Sequence, residues 1–233
     1  MFTKTAAYYD ALYHFKDYGA AARQLHELVQ RCAPGTTSLL DVACGTGKHL
    51  EYLRPHYRAE GIDLDGELLA VARQRCPGVG FQQADMTRFD LGRRFGAVVC
   101  LFSSIAYVQT AARLGEAVRC MVQHLEPGGL LLIEPWITPE NYWLQRLTTN
   151  FVDQPDLKIC WMYTSERAGD TSVFDIHYTV GTAAGVSSFR EKHVMGLWTD
   201  AQYRQAFADV GIAVTFVPVG LMGRGMYYGT KPA

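Results

Sequence analysis

The sequence predicts a doubly wound α/β fold with a mostly parallel seven-stranded sheet and a small inserted antiparallel β lobe. From about residue 37 to residue 134, short apolar runs alternate with amphipathic stretches, as strands and crossover helices do in a parallel sheet. Between about 137 and 198 the helical spacing of apolar residues disappears. The alternation of helix and strand then resumes at Thr199 and continues towards the end of the chain.

Five apolar runs in the first part of the chain have the length and composition of strands. The fourth run, Ala97–Phe102, is almost entirely apolar and therefore predicts a central strand that is covered on both faces. The third run, Val79–Gln83, carries the weakest signal. In chain order, the five predicted strands are Ser38–Ala43, Ala59–Leu64, Val79–Gln83, Ala97–Phe102 and Leu130–Glu134.

Apolar residues at helical spacing predict the helices around these strands. In Ala111–Leu125 they recur three and four positions apart, and Pro127-Gly128-Gly129 then stops the helix and turns the chain. The other predicted helices are Ala21–Cys32 before the first strand, Thr46–Arg54 after it and Gly66–Gln74 after the second strand.

The segment after Pro135 predicts an inserted lobe. Three antiparallel strands are expected in it, separated by turn residues: Leu157–Glu166, Ser172–Val180 and Ser187–Leu197. The α/β pattern resumes with the predicted helix Thr199–Val210, for which Thr199 is the N-cap and Gly211 the C-cap. The final strands are predicted at Val214–Val217 and Gly225–Thr230.

These patterns suggest how the chain divides into domains. We expect one domain to consist of residues 1–136 and 199–233, and residues 137–198 to form a lid over the substrate site. Because the last helix and strands return to the α/β pattern, the lobe is read as an insertion and not as a separate unit at the end of the chain.

The composition limits the classes of partner. A chain of 233 residues, 48% of them apolar, can bury an ordinary core, and a net charge of −1 supplies no broad cationic field for phosphate backbones or anionic lipids. We therefore expect neither a nucleic acid nor a membrane as partner. The absence of a long apolar run and the scattered cysteines predict a cytoplasmic protein with no metal site.

A glycine-rich turn, Asp41–Gly47, follows the first predicted strand. A strand, a glycine turn and a helix bring the backbone close to a nucleotide-like ligand. A P-loop is excluded because Val42 stands where its first glycine is required and His49 where it needs Ser or Thr. A dinucleotide fingerprint lacks its third glycine, since that position is Leu50. The turn suits S-adenosylmethionine, which has no phosphate groups.

Three further elements, at the carboxyl ends of later strands, predict the other walls of such a site. Asp63 can accept hydrogen bonds from both ribose hydroxyls, but NAD enzymes use an acid in the same way, so Asp63 alone does not decide between the cofactors. Asp85 and Met86 offer a carboxylate for the adenine amino group and an apolar cover for the ring. The run Leu101–Tyr107 places hydroxyls and an aromatic ring where the reactive methyl group is expected.

In this order and spacing, the four elements resemble those of class I S-adenosylmethionine-dependent methyltransferases, which have a Rossmann-like sheet. Within that class, Leu39–Gly47, Phe102–Ile105, Glu134-Pro135-Trp136 and Gly223-Arg224-Gly225 together resemble motifs of the N,N-dimethyltransferases of nucleotide-linked amino sugars. The resemblance implies that the last strand, Gly225–Thr230, is antiparallel to the rest of the sheet.

The resemblance also assigns residues to the two ligands by position. For the cofactor it implies Tyr9, Tyr18, Asp41, Ala43, Gly45, Asp63, Leu64, Asp85, Met86, Leu101 and Phe102. For the substrate it implies Phe2, Ser104, Tyr107, Glu134, Trp136 and Arg224, with Arg224 a candidate for a diphosphate. Two positions depart from the pattern: Phe2 replaces a tyrosine, and Trp136-Ile137 replaces a pair of tryptophans.

Methyl transfer from a sulfonium depends mainly on positioning and desolvation, because the leaving group departs neutral. For an amine acceptor, Glu134 is the first candidate to orient the amine or accept its proton, and Tyr107 is the second. We therefore expect a methyltransferase of a small molecule, acting on nitrogen, with homodimer formation open. The alternatives are an O-methyltransferase, an NAD-dependent oxidoreductase and a protein that binds S-adenosylmethionine without turnover.

Overall fold

The computed structural model describes residues 5–233, which form two β-sheets and the helices around them. The α-helices are α1 (Tyr9–Leu12), α2 (Tyr18–Cys32), α3 (Lys48–Leu53), α4 (Gly66–Arg75), α5 (Ala111–Gln123) and α6 (Asp200–Ala208). Short 3₁₀-helices lie at Ala6–Tyr8 and Ser104–Val108. None of the helices in this part of the chain has the length and apolar character needed to cross a membrane.

The larger sheet has seven strands: β1 (Ser38–Val42), β2 (Arg58–Asp63), β3 (Gly80–Gln83), β4 (Phe95–Cys100), β5 (Leu125–Ile133), β11 (Thr215–Val217) and β12 (Met226–Thr230). Their order across the sheet is β11-β12-β5-β4-β1-β2-β3. Strands β1 to β5 are parallel to one another, whereas β12 is antiparallel to β5 and to β11. The predicted reversal of the last strand is therefore confirmed.

Helices cover both faces of this sheet. Residues of α2, α3 and α4 pack in one apolar cluster, and residues of α5 and α6 pack in another on the opposite face. Every residue of β1 and β4 is buried between them, as their apolar sequences predict. In a sheet that is covered in this way, the carboxyl ends of the parallel strands are the edge at which a ligand can approach.

The fifth strand begins earlier than the sequence predicts. It starts at Leu125 and runs through the Pro127-Gly128-Gly129 turn that was expected to separate helix and strand. Leu125 pairs with Phe95, and the register then shifts before Leu130 pairs with Ala97. The turn residues therefore form a bulge inside the strand. Pairing with β4 begins before the bulge, because the Phe95 N–H donates a hydrogen bond of 2.8 Å to the His124 carbonyl.

The second sheet contains more strands than the three that were predicted. Its five strands are β6 (Leu147–Gln154), β7 (Leu157–Thr164), β8 (Glu166–Ala168), β9 (Thr171–Thr182) and β10 (Gly185–Gly196). They have the order β10-β9-β7-β6, with β8 paired to β9. The additional strand β6 escaped prediction because most of its residues are polar and exposed, so no alternation of apolar residues marks it.

The segment before α2 is attached to the glycine turn by polar contacts. Asp10 of α1 accepts a hydrogen bond of 2.9 Å from the Thr46 hydroxyl and forms an ion pair with Arg75 at the end of α4. Arg75 also donates to the Thr46 carbonyl. These contacts hold α1 across the carboxyl ends of β1 and β2, and so position the neighbouring residue Tyr9.

Candidate functional site

Three adjoining cavities lie along the carboxyl ends of the central strands. We name them by a residue that lines each: the Asp63 cavity (about 310 Å³), the Asp41 cavity (about 20 Å³) and the Trp136 cavity (about 520 Å³). Tyr9 and Ser104 line all three. A depression of about 610 Å³ lies at the opposite, amino-terminal ends of β2 and β3 and is open to solvent, so we do not place the site there.

The glycine turn is tied to the end of β2 by the Asp63 carboxylate. Its two oxygens accept backbone hydrogen bonds from Gly45 (2.8 Å) and Asp65 (2.9 Å). Gly45 has a φ of +56°, a conformation that favours glycine, and Ala43 takes a similar φ of +61°. Burial raises the pKa of Asp63, although these amide donors oppose the shift. One acidic side chain thus shapes the turn and lines the adjoining cavity.

Asp41 is a buried carboxylate for which the described residues provide no hydrogen-bond donor. It is only 1% exposed, and both oxygens lack a partner in that part of the chain. Burial, reinforced by the nearby Asp63, raises its pKa well above the usual range. An ammonium group in the Asp41 cavity would offset the cost of burying this charge. The methionine part of S-adenosylmethionine carries such a group.

Asp85 occupies the far side of the Asp63 cavity, next to Met86. Its carboxylate accepts hydrogen bonds from the Thr87 backbone (2.9 Å), the Thr87 hydroxyl (2.8 Å) and Arg113 (2.8 Å). Burial raises the pKa of Asp85, but these donors prevail and lower it overall. The side chain is therefore held as an oriented anion, as a contact with an adenine amino group requires.

The chain after β4 adopts an uncommon conformation beside all three cavities. Phe102 and Ser103 have φ angles of +53° and +63°, which cost about 1–3 kcal/mol each for residues other than glycine. Two contacts hold this conformation: Glu134 accepts from the Phe102 backbone N–H at 2.8 Å, and the Ser103 hydroxyl donates to the Pro135 carbonyl at 2.6 Å. Residues at the end of β5 thus fix the loop at the end of β4.

Glu134 lies behind this loop and is only 1% exposed. One oxygen accepts a hydrogen bond from the Phe102 N–H, and the backbone N–H of Leu221 also acts on the carboxylate. Burial raises the pKa of Glu134, whereas the Phe102 amide and the charges of Lys16 and Arg224 oppose the shift. Glu134 lines none of the three cavities, so its predicted contact with the substrate and its catalytic role stay predictions.

Tyr107 stands between the Asp63 and Trp136 cavities and lines both. Its hydroxyl shares a hydrogen bond of 2.9 Å with Nδ1 of His193, which comes from β10. Burial raises the pKa of Tyr107 well above its usual range and lowers that of His193 to about 3. At neutral pH the phenol therefore keeps its proton and the imidazole is uncharged, so this pair is suited to orienting a ligand by hydrogen bonds.

The Trp136 cavity has aromatic walls from both sheets. Trp136 follows β5 and is anchored by a hydrogen bond of 3.0 Å from its indole N–H to Ser172. The second sheet contributes Trp161, Tyr163 and Phe174. The guanidinium of Arg224 lies 4.4 Å from the centre of the Trp136 ring, a cation–π distance. A polar, charged molecule with a flat or ring-shaped part suits this surface.

The structure brings together nearly all of the residues that the sequence singles out. The Asp63 cavity is lined by Tyr9, Ala43, Gly45, Asp63, Leu64, Asp85, Met86, Ser104 and Tyr107. The Asp41 cavity adds Tyr18, Asp41 and Leu101. Phe102, Trp136 and Arg224 line the Trp136 cavity. Phe2 lies outside the described residues.

Several residues of the site were not predicted. Lys16, Trp161 and Tyr163 line the Trp136 cavity, and His193 pairs with Tyr107. They come from the segment before α2 and from the second sheet, where no spacing relates them to the strand ends. A lysine three positions after Tyr13 has no distinguishing signal in one sequence, because only the folded chain places it over the Phe102 loop.

Comparison with known proteins agrees with this geometry. A methyltransferase domain family matches residues 39–129. The chain is 39% identical over 220 residues, 94% of its length and 86% of the relative's, to dTDP-3-amino-3,6-dideoxy-alpha-D-glucopyranose N,N-dimethyltransferase of Streptomyces fradiae. The chain belongs to the family of S-adenosylmethionine-dependent sugar N-methyltransferases.

Solved structures of this family have the same fold. DesVI of Streptomyces venezuelae superposes with a TM-score of 0.93 at 37% identity, covering 99% of each chain. CalS10, an amino pentose methyltransferase from Micromonospora echinaspora, superposes with a TM-score of 0.88 at 34% identity, covering 96% of each chain, and its structure contains bound S-adenosylmethionine. The predicted methyltransferase class, Rossmann-like fold and cofactor are therefore confirmed.

The contacts of Arg75 give a first test of the cofactor site. Arg75→Met removes the ion pair with Asp10 and the bond to the Thr46 carbonyl, so α1 and Tyr9 lose an anchor over the glycine turn. We expect the KM for S-adenosylmethionine to rise about fivefold, because a partly exposed ion pair contributes about 1 kcal/mol and this free energy corresponds to about a fivefold change in affinity. Arg73→Met, an exposed change on the same helix, should leave the KM unaltered; equal values for the two variants would contradict the anchoring role.

Proposed function

We propose that the protein transfers methyl groups from S-adenosylmethionine to the amino group of a nucleotide-linked deoxyamino sugar. The observation that carries this proposal is the Trp136 cavity, which adjoins both cofactor cavities through Tyr9 and Ser104 and has room for a ligand larger than a free sugar. The likeness to a dTDP-amino-sugar N,N-dimethyltransferase over 94% of the chain supports the same acceptor class.

In this reaction the amine lone pair attacks the methyl carbon in line with the carbon–sulfur bond. A carbon–nitrogen bond forms as the carbon–sulfur bond breaks, and the bonding electrons return to sulfur, so the cofactor leaves as the uncharged thioether S-adenosylhomocysteine. The proton that the amine carried passes to solvent. The protein supplies orientation through the Phe102 loop and Tyr107, and exclusion of water by the aromatic walls.

The second sheet supports the choice of a large acceptor. Its residues Trp161, Tyr163 and Phe174 form the outer wall of the Trp136 cavity. We propose that residues 137–198 act as a lid that closes over the sugar nucleotide. A lid of this kind would desolvate the amine and hold the acceptor against the cofactor.

The proposal is tested by incubating the protein with S-adenosylmethionine and dTDP-3-amino-3,6-dideoxyglucose and following the mass of the acceptor. We expect two successive gains of one methylene unit, with two equivalents of S-adenosylhomocysteine. An acceptor with a hydroxyl group in place of the amine serves as the matched control and should not react. Methylation of that control at an equal rate would favour an O-methyltransferase instead.

A further inference from the structure

His193 brings a side chain of the second sheet to Tyr107. It lies on β10, is only 4% exposed, and its Nδ1 shares a hydrogen bond of 2.9 Å with the Tyr107 hydroxyl. His193 lines the Trp136 cavity, whereas Tyr107 lines both that cavity and the Asp63 cavity. The bond therefore reaches from the inserted lobe to the side chain that stands where the two cavities meet.

The strand β10 is held against the 3₁₀-helix that carries Tyr107. Gln109, which follows this helix, donates a hydrogen bond of 3.4 Å from its side-chain amide to the Val194 carbonyl. Successive residues of a strand point to opposite sides, and β10 follows this rule: Val194 lines the Asp63 cavity and His193 the Trp136 cavity. The backbone of β10 thus fixes the side from which His193 approaches Tyr107.

The direction of the Tyr107 proton matters for methyl transfer. A tyrosine hydroxyl can donate one hydrogen bond and can also accept. If it donated to an amine, it would occupy the lone pair that must attack the methyl carbon. If its proton points to Nδ1 of His193, the oxygen can instead accept an N–H of the amine. Burial raises the pKa of Tyr107 and lowers that of His193 to about 3, so both rings are uncharged at neutral pH.

We propose that His193 is a positioning residue for methyl transfer. Its Nδ1 accepts the Tyr107 O–H, so that the phenol oxygen accepts an N–H of the methyl acceptor and turns the nitrogen lone pair towards the cofactor. His193 takes up no proton in this arrangement, because the proton that the amine loses passes to solvent. The inference rests on the proposed function in taking the methyl acceptor to be an amine.

The arrangement predicts that the second methyl transfer depends on His193 more than the first. A neutral primary amine has two N–H groups, and either can bond to the Tyr107 oxygen. After one transfer and loss of a proton, the nitrogen has a single N–H, so this one bond orients its lone pair. A variant that releases the Tyr107 proton from His193 should therefore accumulate the monomethylated product.

Two substitutions of His193 separate positioning from packing. His193→Leu nearly retains the volume of the side chain but removes the acceptor, whereas His193→Asn loses volume but can place its oxygen where Nδ1 lies. With S-adenosylmethionine and dTDP-3-amino-3,6-dideoxyglucose, we expect kcat to fall about tenfold in His193→Leu, the change for one lost hydrogen bond, with the monomethylated sugar accumulating. His193→Asn should stay within about threefold of the wild type. A packing role predicts the reverse order, since asparagine leaves the larger cavity.

A double-mutant cycle shows whether His193 acts through Tyr107. Tyr107→Phe removes the hydroxyl, so adding His193→Leu to it should cause no further loss of kcat, whereas independent effects would multiply. Isothermal titration of His193→Leu with S-adenosylhomocysteine should give an affinity within about twofold of the wild type, because His193 does not line the Asp41 or Asp63 cavity. His177→Leu, an exposed change on β9, is the matched control and should have wild-type kcat.

Each outcome decides the inference. Wild-type kcat and product ratio in His193→Leu, an equal or larger loss in His193→Asn, or multiplied losses in the double variant would overturn it and leave the proposed function intact. If the wild type does not methylate the amino sugar, the proposed function and the inference are both refuted. Circular dichroism checks folding, and if His193→Leu is unfolded, His193→Gln replaces it, because its longer side chain places the amide near Nε2 and provides no acceptor at Nδ1.

Discussion

Replacing Asp63 by alanine should weaken S-adenosylmethionine binding about a hundredfold or more. The variant loses the predicted bonds to the two ribose hydroxyls and also leaves the backbone N–H groups of Gly45 and Asp65 without their acceptor, so the glycine turn loses its anchor. Hydrogen bonds to a charged group contribute about 1.5–3 kcal/mol each, so the loss of both ribose bonds alone accounts for this factor. Isothermal titration with S-adenosylmethionine measures the effect directly.

Two variants serve as controls for this prediction. Asp63→Asn retains one acceptor oxygen but turns an amide N–H₂ towards the other backbone donor, so its loss should be intermediate. Glu67→Gln changes an exposed acid on the adjacent helix α4 and should bind the cofactor as the wild type does. Unchanged affinity in Asp63→Ala would exclude Asp63 from the cofactor site.

The same carboxylate predicts a pH dependence. Burial raises the pKa of Asp63 above that of an exposed aspartate, so it becomes protonated at a higher pH as acid is added. Cofactor affinity should therefore fall as the pH is lowered towards this raised value, before exposed carboxylates titrate. An affinity that stays constant until the protein unfolds in acid would contradict the need for an ionised Asp63.

Glu134→Gln should lower kcat about 100-fold while leaving the affinity for S-adenosylhomocysteine within about twofold. The glutamine oxygen can still accept the Phe102 N–H, so the loop at the end of β4 keeps its anchor. What the variant loses is the negative charge that can orient the amine before its proton passes to solvent. Single-turnover kinetics with saturating acceptor measure the chemical step.

Comparison with Glu134→Ala separates this role from a structural one. Alanine removes the anchor of Phe102 as well as the charge, so the strained loop should relax and cofactor affinity should fall too. If Glu134→Gln has wild-type turnover and only Glu134→Ala is impaired, Glu134 acts by holding the loop. Glu126→Gln, an exposed change on the same strand β5, should have no effect on either measurement.

Much of the candidate cofactor site was predictable because it is built from local signals in a regular order. Residue type and spacing are enough to predict a buried first strand that contains Asp41, a glycine turn after it and an acid at the end of the second strand. Parallel strands bring their carboxyl ends to one edge, so residues far apart in sequence are expected to meet there. Asp63 and Gly45 do so through a bond of 2.8 Å.

The sequence by itself determined the α/β class, the cofactor and most of the strand-end residues that line the candidate cofactor site, since periodic burial and strand-end positions depend on local chain geometry. The tertiary structure decided the features of the candidate substrate side: the strand β6, the pairing of Tyr107 with His193, and the placement of Lys16 and Arg224 against one ring. The physical reason is that these residues meet through long-range packing of the segment before α2, the second sheet and the loop before β12. No periodicity within one segment encodes contacts of that kind.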